Sequence, residues 1–255
     1  MKKLLLLTAA LFAAVAIDAA ADVPARLTLT SGSVVEGSTR WLPASKQYVV
    51  TQSNGFEQRF PPSDVAGVEV QTPANLKQAV QTKNAAQLEA IMKQYVMLQY
   101  DVVAGYHLAR IYYSQNKPAD ALRICQTVIS SNPDAAKGDL APIYWKSLLA
   151  TGKGSTLGPI LDDAIKGGSP AVAAGALNIR GDLLKAENKL QEALVDGYLR
   201  VVVFYRQQRD AMPEALYKAM ETFEALGQTP YAEKMRNDLL AHYADSEEAK
   251  KLRSR

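Results

Sequence analysis

The chain holds one cysteine and two histidines in 255 residues. A disulfide within one chain and a Cys/His zinc cage are therefore excluded. An excess of one charge is also lacking. The 29 Lys and Arg and 26 Asp and Glu leave a net +3, whereas a dedicated nucleic-acid binder concentrates basic charge on one face. Past the first residues, no apolar run approaches the ~20 residues that span a bilayer, so no stable membrane insertion is expected. No GxSxG, HExxH or EF-hand loop occurs, and with these catalytic and metal motifs missing no cofactor is expected. What is present is 48% hydrophobic and 22% charged residues, enough to bury a sizeable core and rule out wholesale disorder.

The N-terminus, MKKLLLLTAALFAAVAIDAAA, has the three parts of a secretory signal peptide of the bacterial kind. Lys2 and Lys3 form the basic region, residues 4–17 are apolar apart from Thr8, and Ala19-Ala20-Ala21 fits the small-residue cleavage rule. Residues 1–21 are thus read as an export signal, with Asp22 as the mature terminus and a periplasmic or secreted location. That setting makes ATP and NAD improbable ligands.

Residues 22–72 read as a small β domain. Residues 26–30 alternate with period two, Ser31-Gly32-Ser33 marks a turn, and residues 34–39 form a second strand with Gly37 as a bend or bulge. Residues 47–52 are rich in β-formers, and Asn54-Gly55 is a strong hairpin signal. A fourth strand spans 56–60. Pro61-Pro62 breaks the pairing, one helical turn fits residues 63–65, and a fifth strand closes 66–71. This order of strand, Gly turn, bent strand and late hairpin resembles the SH3-like and Sm-like β-barrels. The resemblance implies a five-stranded barrel with Tyr48, Phe56 and Phe60 in its core. Trp41, after Arg40 on a loop, is its candidate contact residue.

From residue 73 the apolar period becomes helical, and residues 73–255 read as a repeat domain. In residues 102–135 Ala109, Ala121 and Pro133 follow one another at twelve-residue steps, and Asn116-Lys117-Pro118 is the turn. Small residues at these offsets let two antiparallel helices approach closely, and the proline ends the pair. Gly181 and Ala193 repeat the step, as do Met220, Ala232 and Ala244, the last where the closing proline would stand. A degenerate unit fits between them, from Ile143-Tyr144-Trp145 to Ile165, and residues 76–80 and 88–96 fit an N-terminal cap. This spacing resembles the tetratricopeptide repeat. The ending His242-Tyr243-Ala244-Asp245-Ser246 is similar to repeats of periplasmic envelope-assembly and division-coordinating proteins. The resemblance implies a mainly α fold, a right-handed solenoid of helical hairpins preceded by the small barrel.

Apparent catalytic motifs fail on their context. Gly152 to Gly158 looks like a phosphate loop, but Gly154 separates Lys153 from Ser155. Arg180-Gly181-Asp182 falls inside an expected helix, which keeps it off a loop tip. Cys125 falls on an inner helix face, where it acts as a small apolar residue; a catalytic role would need His107 nearby and an exposed, electropositive setting.

In this repeat family the first helix of each pair lines a concave groove. Relative to each small residue, offsets −3, +1 and +4 give Tyr106, Arg110 and Tyr113; Asn178, Asp182 and Lys185; and Tyr217, Glu221 and Glu224. Tyr and Arg are favoured interface anchors, although Tyr106 and Tyr113 fit equally well as packing against the next repeat. The expectation is a non-enzymatic adaptor holding another envelope protein or peptide in this groove. The alternatives are a subunit of a peptidoglycan- or glycan-directed enzyme, and a structural part of a pilus or secretion assembly, where a homo-oligomer would fit.

Overall fold

A computed structural model describes residues 22–254; residues 1–21, where an export signal is expected, lie outside the described residues. The chain divides into two compact units, the first ending at Val70 and the second beginning at Gln71.

The first unit is an antiparallel sheet of β1 (Val23–Leu29), β2 (Val34–Leu42), β3 (Gln47–Thr51), β4 (Glu57–Phe60) and β5 (Val65–Val70), in the order β4-β3-β2-β1-β5. The period-two pattern works as the pleat requires: Val23, Ala25 and Leu27 are buried, while Arg26 faces out and pairs with Glu36 at 3.3 Å and Glu69 at 3.6 Å on its two neighbours. Gly37 keeps regular pairing with Ala25 and is no bulge. A Cβ there would come within 2.5 Å of the Thr51 carbonyl oxygen, so glycine is needed for β3 to lie this close.

Three expectations for this unit need correction. The sheet is open, with β4 and β5 as its two edges, rather than closed into a barrel. β4 has only four residues and runs directly into Pro61-Pro62, which have no N–H to extend a ladder. Phe56 lies on the hairpin loop, 58% exposed, instead of filling a core. Trp41 stands within β2, not on a loop, and is 8% exposed. It pairs with Tyr48 across the strands, the two rings meeting edge-on at 5.0 Å.

The second unit is a run of helices: α1 (Leu76–Gln81), α2 (Ala85–Gln94), α3 (Tyr100–Ser114), α4 (Pro118–Ser131), α5 (Ala141–Ala150), α6 (Leu157–Gly167) and α7 (Pro170–Ala186). Next come α8 (Leu190–Glu192), a π-helical segment (Ala193–Tyr198), α9 (Leu199–Phe204), α10 (Met212–Ala225), α11 (Thr229–His242) and α12 (Glu247–Arg253). Neighbours in sequence pack in pairs: α1 on α2, α3 on α4, α7 on the π-helical segment and α10 on α11, with α6 also lying on α7. Each pair also rests on the next through contacts such as α2 with α3, α4 with α5 and α5 with α7. Ala109, Ala121, Ala193 and Ala232 are all buried, so the short side chains do lie where helices meet. Of residues 152–158, the stretch 152–156 forms a turn and a 3₁₀ segment after α5, and Leu157 and Gly158 open α6.

In the pair headed by α7, the closest approach falls four residues beyond the Ala193 that spacing picks out. A Cβ on Gly197 would sit 2.6 Å from the Cα of Gly181, and one on Gly181 would strike the ring of Tyr198. The π segment carries both Gly197 and Tyr198, so the two backbones cross on glycine with the tyrosine ring laid over the crossing.

Gly181→Ala is expected to destabilise the protein by about 1–3 kcal/mol through overpacking. Gly158→Ala, in α6 with nothing within 4 Å of the added carbon, should be neutral or stabilising by up to about 1 kcal/mol. Urea unfolding of both variants measures the contrast; equal effects would refute the close crossing.

Candidate functional site

Four helices, α3, α5, α7 and α10, border one cleft of about 440 Å³. α3 supplies Tyr106 and Arg110, and α5 supplies Pro142, Ile143 and Lys146. Ala171, Val172 and Gly175 come from α7, and Ala211 and Glu214 from the start of α10. Asp139 and Asp210 stand on the turns just ahead of α5 and α10. Gly175 permits the close packing of α5 on α7, since a Cβ there would meet Pro142 Cγ at 2.7 Å.

A chain of charged groups starts at Lys146 and Glu214 in the cleft and continues to Lys218 and Asp182 behind it. Lys146 Nζ donates to Glu214 Oε2 at 2.5 Å, and Lys218 Nζ donates to Glu214 Oε1 at 2.7 Å. Lys218 also donates to Asp182 Oδ2 at 2.5 Å, and the other Asp182 oxygen accepts from the Tyr198 hydroxyl at 2.8 Å. The four charged side chains are only 14–24% exposed. Burial alone would favour the neutral carboxyl of Glu214, but the ammonium groups of Lys146 and Lys218 outweigh it and hold the group at about 2. Burial likewise opposes the charge on Lys218, yet Glu214 and Asp182 together raise its pKa. Burial, reinforced by the Asp182 charge, raises that of Tyr198.

The expected groove residues divide by position. Arg110 lies over the Tyr106 ring, 5.4 Å from its centroid, and donates to the Tyr106 hydroxyl at 3.1 Å; both border the cleft. Tyr113 is half-buried, and burial raises its phenol pKa, with smaller effects from Lys218, Glu214 and Asp182. Asp182 belongs to the ionic chain. Lys185 and Glu221 pair with each other at 3.6 Å between α7 and α10. Tyr217 is half-buried against the last core cluster, and Glu224 is exposed near the end of α10. Asn178 is fully buried: its Nδ2 donates to the Ala211 carbonyl at 3.0 Å. Trp41 is buried in the first unit.

Three members of the ionic chain escape the offset rule. Lys146 lies on the degenerate unit, where no small residue anchors the count. Glu214 falls a turn ahead of the −3 position. Lys218 was legible only as the i+4 partner of Glu214.

Cys125 is fully buried in α4, and burial pushes its thiol up to about 12; at neutral pH it keeps its proton. Burial and the Arg110 charge lower the His107 pKa. Among the described residues no group of three or more His, Cys, Asp or Glu is placed to hold a metal ion, and no helix is long and apolar enough to cross a membrane.

Residues 103–135, covering α3 and α4, match the family described as Tetratricopeptide repeat. No curated protein and no solved structure matches the chain. Repeats of this kind typically mediate protein–protein interaction, and the cleft starts on the first helix of the matched pair.

The folded-state pKa of Glu214 lies below its ordinary 4.5. Its ion pairs therefore stabilise the fold above about pH 4.5, and that stability is lost as pH falls toward about 2. Glu214→Gln is expected to cost about 2–4 kcal/mol at neutral pH, because it strands the Lys146 ammonium and leaves Lys218 with Asp182 alone, and to flatten this acid limb. Urea unfolding across a pH series checks both effects; an unchanged acid limb would refute the assignment. Cys125 in the native protein should react with Ellman's reagent orders of magnitude more slowly than in the urea-unfolded chain. Equal rates would show that the thiol is not sealed in the core.

Proposed function

We propose that this is an exported envelope protein acting as an adaptor, which holds a segment of another protein in the cleft and performs no catalysis of its own. The observation that carries the reading is the shared cleft: α3, α5, α7 and α10 each contribute side chains to one concavity, as expected of a groove that takes a peptide. The match of residues 103–135 to the tetratricopeptide repeat supports the class of ligand. The basic, apolar and small-residue segments of residues 1–21 support export. For the first unit, the run of five strands with a 3₁₀ turn before the last supports a relationship to SH3-like domains despite the open sheet.

The test is photo-crosslinking in intact cells with benzoylphenylalanine at residue 106, compared with residue 231 on α11, where Tyr231 is exposed. A discrete adduct from position 106, about tenfold weaker at position 231 and reduced when Arg110→Ala is added, is the expected outcome. Adducts of equal intensity from both positions would overturn the groove reading. Osmotic-shock fractionation should release a mature chain beginning at Asp22.

A further inference from the structure

The groups already engaged in the cleft leave a specific remainder. Lys146, Lys218, Glu214 and Asp182 satisfy one another and sum to zero charge. Arg110 lies against Tyr106 on the α3 wall. Asp139 and Asp210 are exposed and have no ion-pair or side-chain hydrogen-bond partner among the described residues. Charged groups bordering the cleft thus leave two unpaired carboxylates against one guanidinium.

The rest of the lining narrows the choice. Asn178, on α7, is fully buried beneath Ala211 and does not border the cleft, so it offers a ligand nothing. The unpaired charged groups on the turns ahead of α5 and α10 are both acceptors. Ile143 and Val172, in the same lining, offer apolar surface.

We propose that the cleft selects a peptide segment carrying a basic side chain next to an aliphatic one, with the cation facing Asp139 and Asp210. The proposal rests on the adaptor reading and adds the charge of the partner. Two carboxylates at a concave rim reinforce each other's potential and favour a cation there.

The experiment pans a displayed random-nonapeptide library against the folded protein without residues 1–21. Enrichment of Lys or Arg beside an aliphatic residue is expected. Asp139→Asn/Asp210→Asn should weaken the selected peptides about fivefold to tenfold, with the loss shrinking in high salt. Both positions are exposed, so this variant should keep the wild-type unfolding midpoint. Enrichment of acidic or uncharged peptides that Tyr106→Ala/Arg110→Ala releases would overturn the charge assignment and leave the groove standing. Basic peptides whose binding ignores Asp139→Asn/Asp210→Asn would also overturn it. Peptides insensitive to both variants, or no enrichment at all, would overturn the groove reading as well.

Discussion

The cleft depends on Glu214 staying ionised between two ammonium groups. A carboxylate this poorly hydrated is unfavourable by itself, and so is each lysine. Together with Asp182 they form a neutral set in which each charge has an opposite charge within 2.7 Å. The set joins residues far apart in sequence: Lys146 and Glu214 are 68 positions apart, and Asp182 and Lys218 are 36 apart. Helical repeats ordinarily interact with their nearest neighbours. Here α5 reaches α10 while α7 lies between them in chain order, so the ionic chain fixes the spacing of α5, α7 and α10. The missing side chain of Gly175 helps, because it lets α5 lie tight against α7.

The other end of that chain rests on backbone contact. Tyr198 reaches Asp182 from the π segment, and the segment lies against α7 on paired glycines. A side chain at Gly181 would displace the Tyr198 ring. Asp182 would then lose a donor while keeping its charge, and the hydrogen bond that orients it toward Lys218 would be gone. Apolar packing and ionic order are therefore coupled in this pair: close backbone approach brings the phenol to the carboxylate, and the carboxylate holds the lysine.

Much of the helical unit was legible because its signals are local. Twelve-residue steps between small side chains, with Pro118 opening a helix, gave α3 and α4 without long-range information. The strands were equally visible from alternation and turn residues. What escaped depends on distant pairings. Whether β4 and β5 meet is not written in either strand, and Phe56 reads as a core aromatic until the hairpin loop is seen to include it. Trp41 reads as a loop residue until β2 extends past it. In the cleft, Tyr106 and Arg110 follow from the repeat offset. Lys146 sits in a unit whose anchor has eroded, and Glu214 acquires meaning only once α5 is seen to approach α10. Asn178 shows the reverse failure: its offset suited a groove residue, yet the arrival of Ala211 covers it.

These distinctions determine what the cleft can recognise. Counting charges along α3, α5, α7 and α10 suggests a mixed surface with no preference. The engaged groups cannot supply selectivity, since a ligand cation would have to displace Lys146 or Lys218 from Glu214, and a ligand anion would have to displace a carboxylate already held by two donors. Either exchange strands a poorly hydrated charge. Discrimination is therefore left to groups the ionic chain does not use, and these lie on short turns ahead of α5 and α10 rather than at regular helix positions. A rigid, self-satisfied floor with selectivity placed on turns separates what keeps the helices in register from what a partner reads. The turn residues can then change without disturbing the stack.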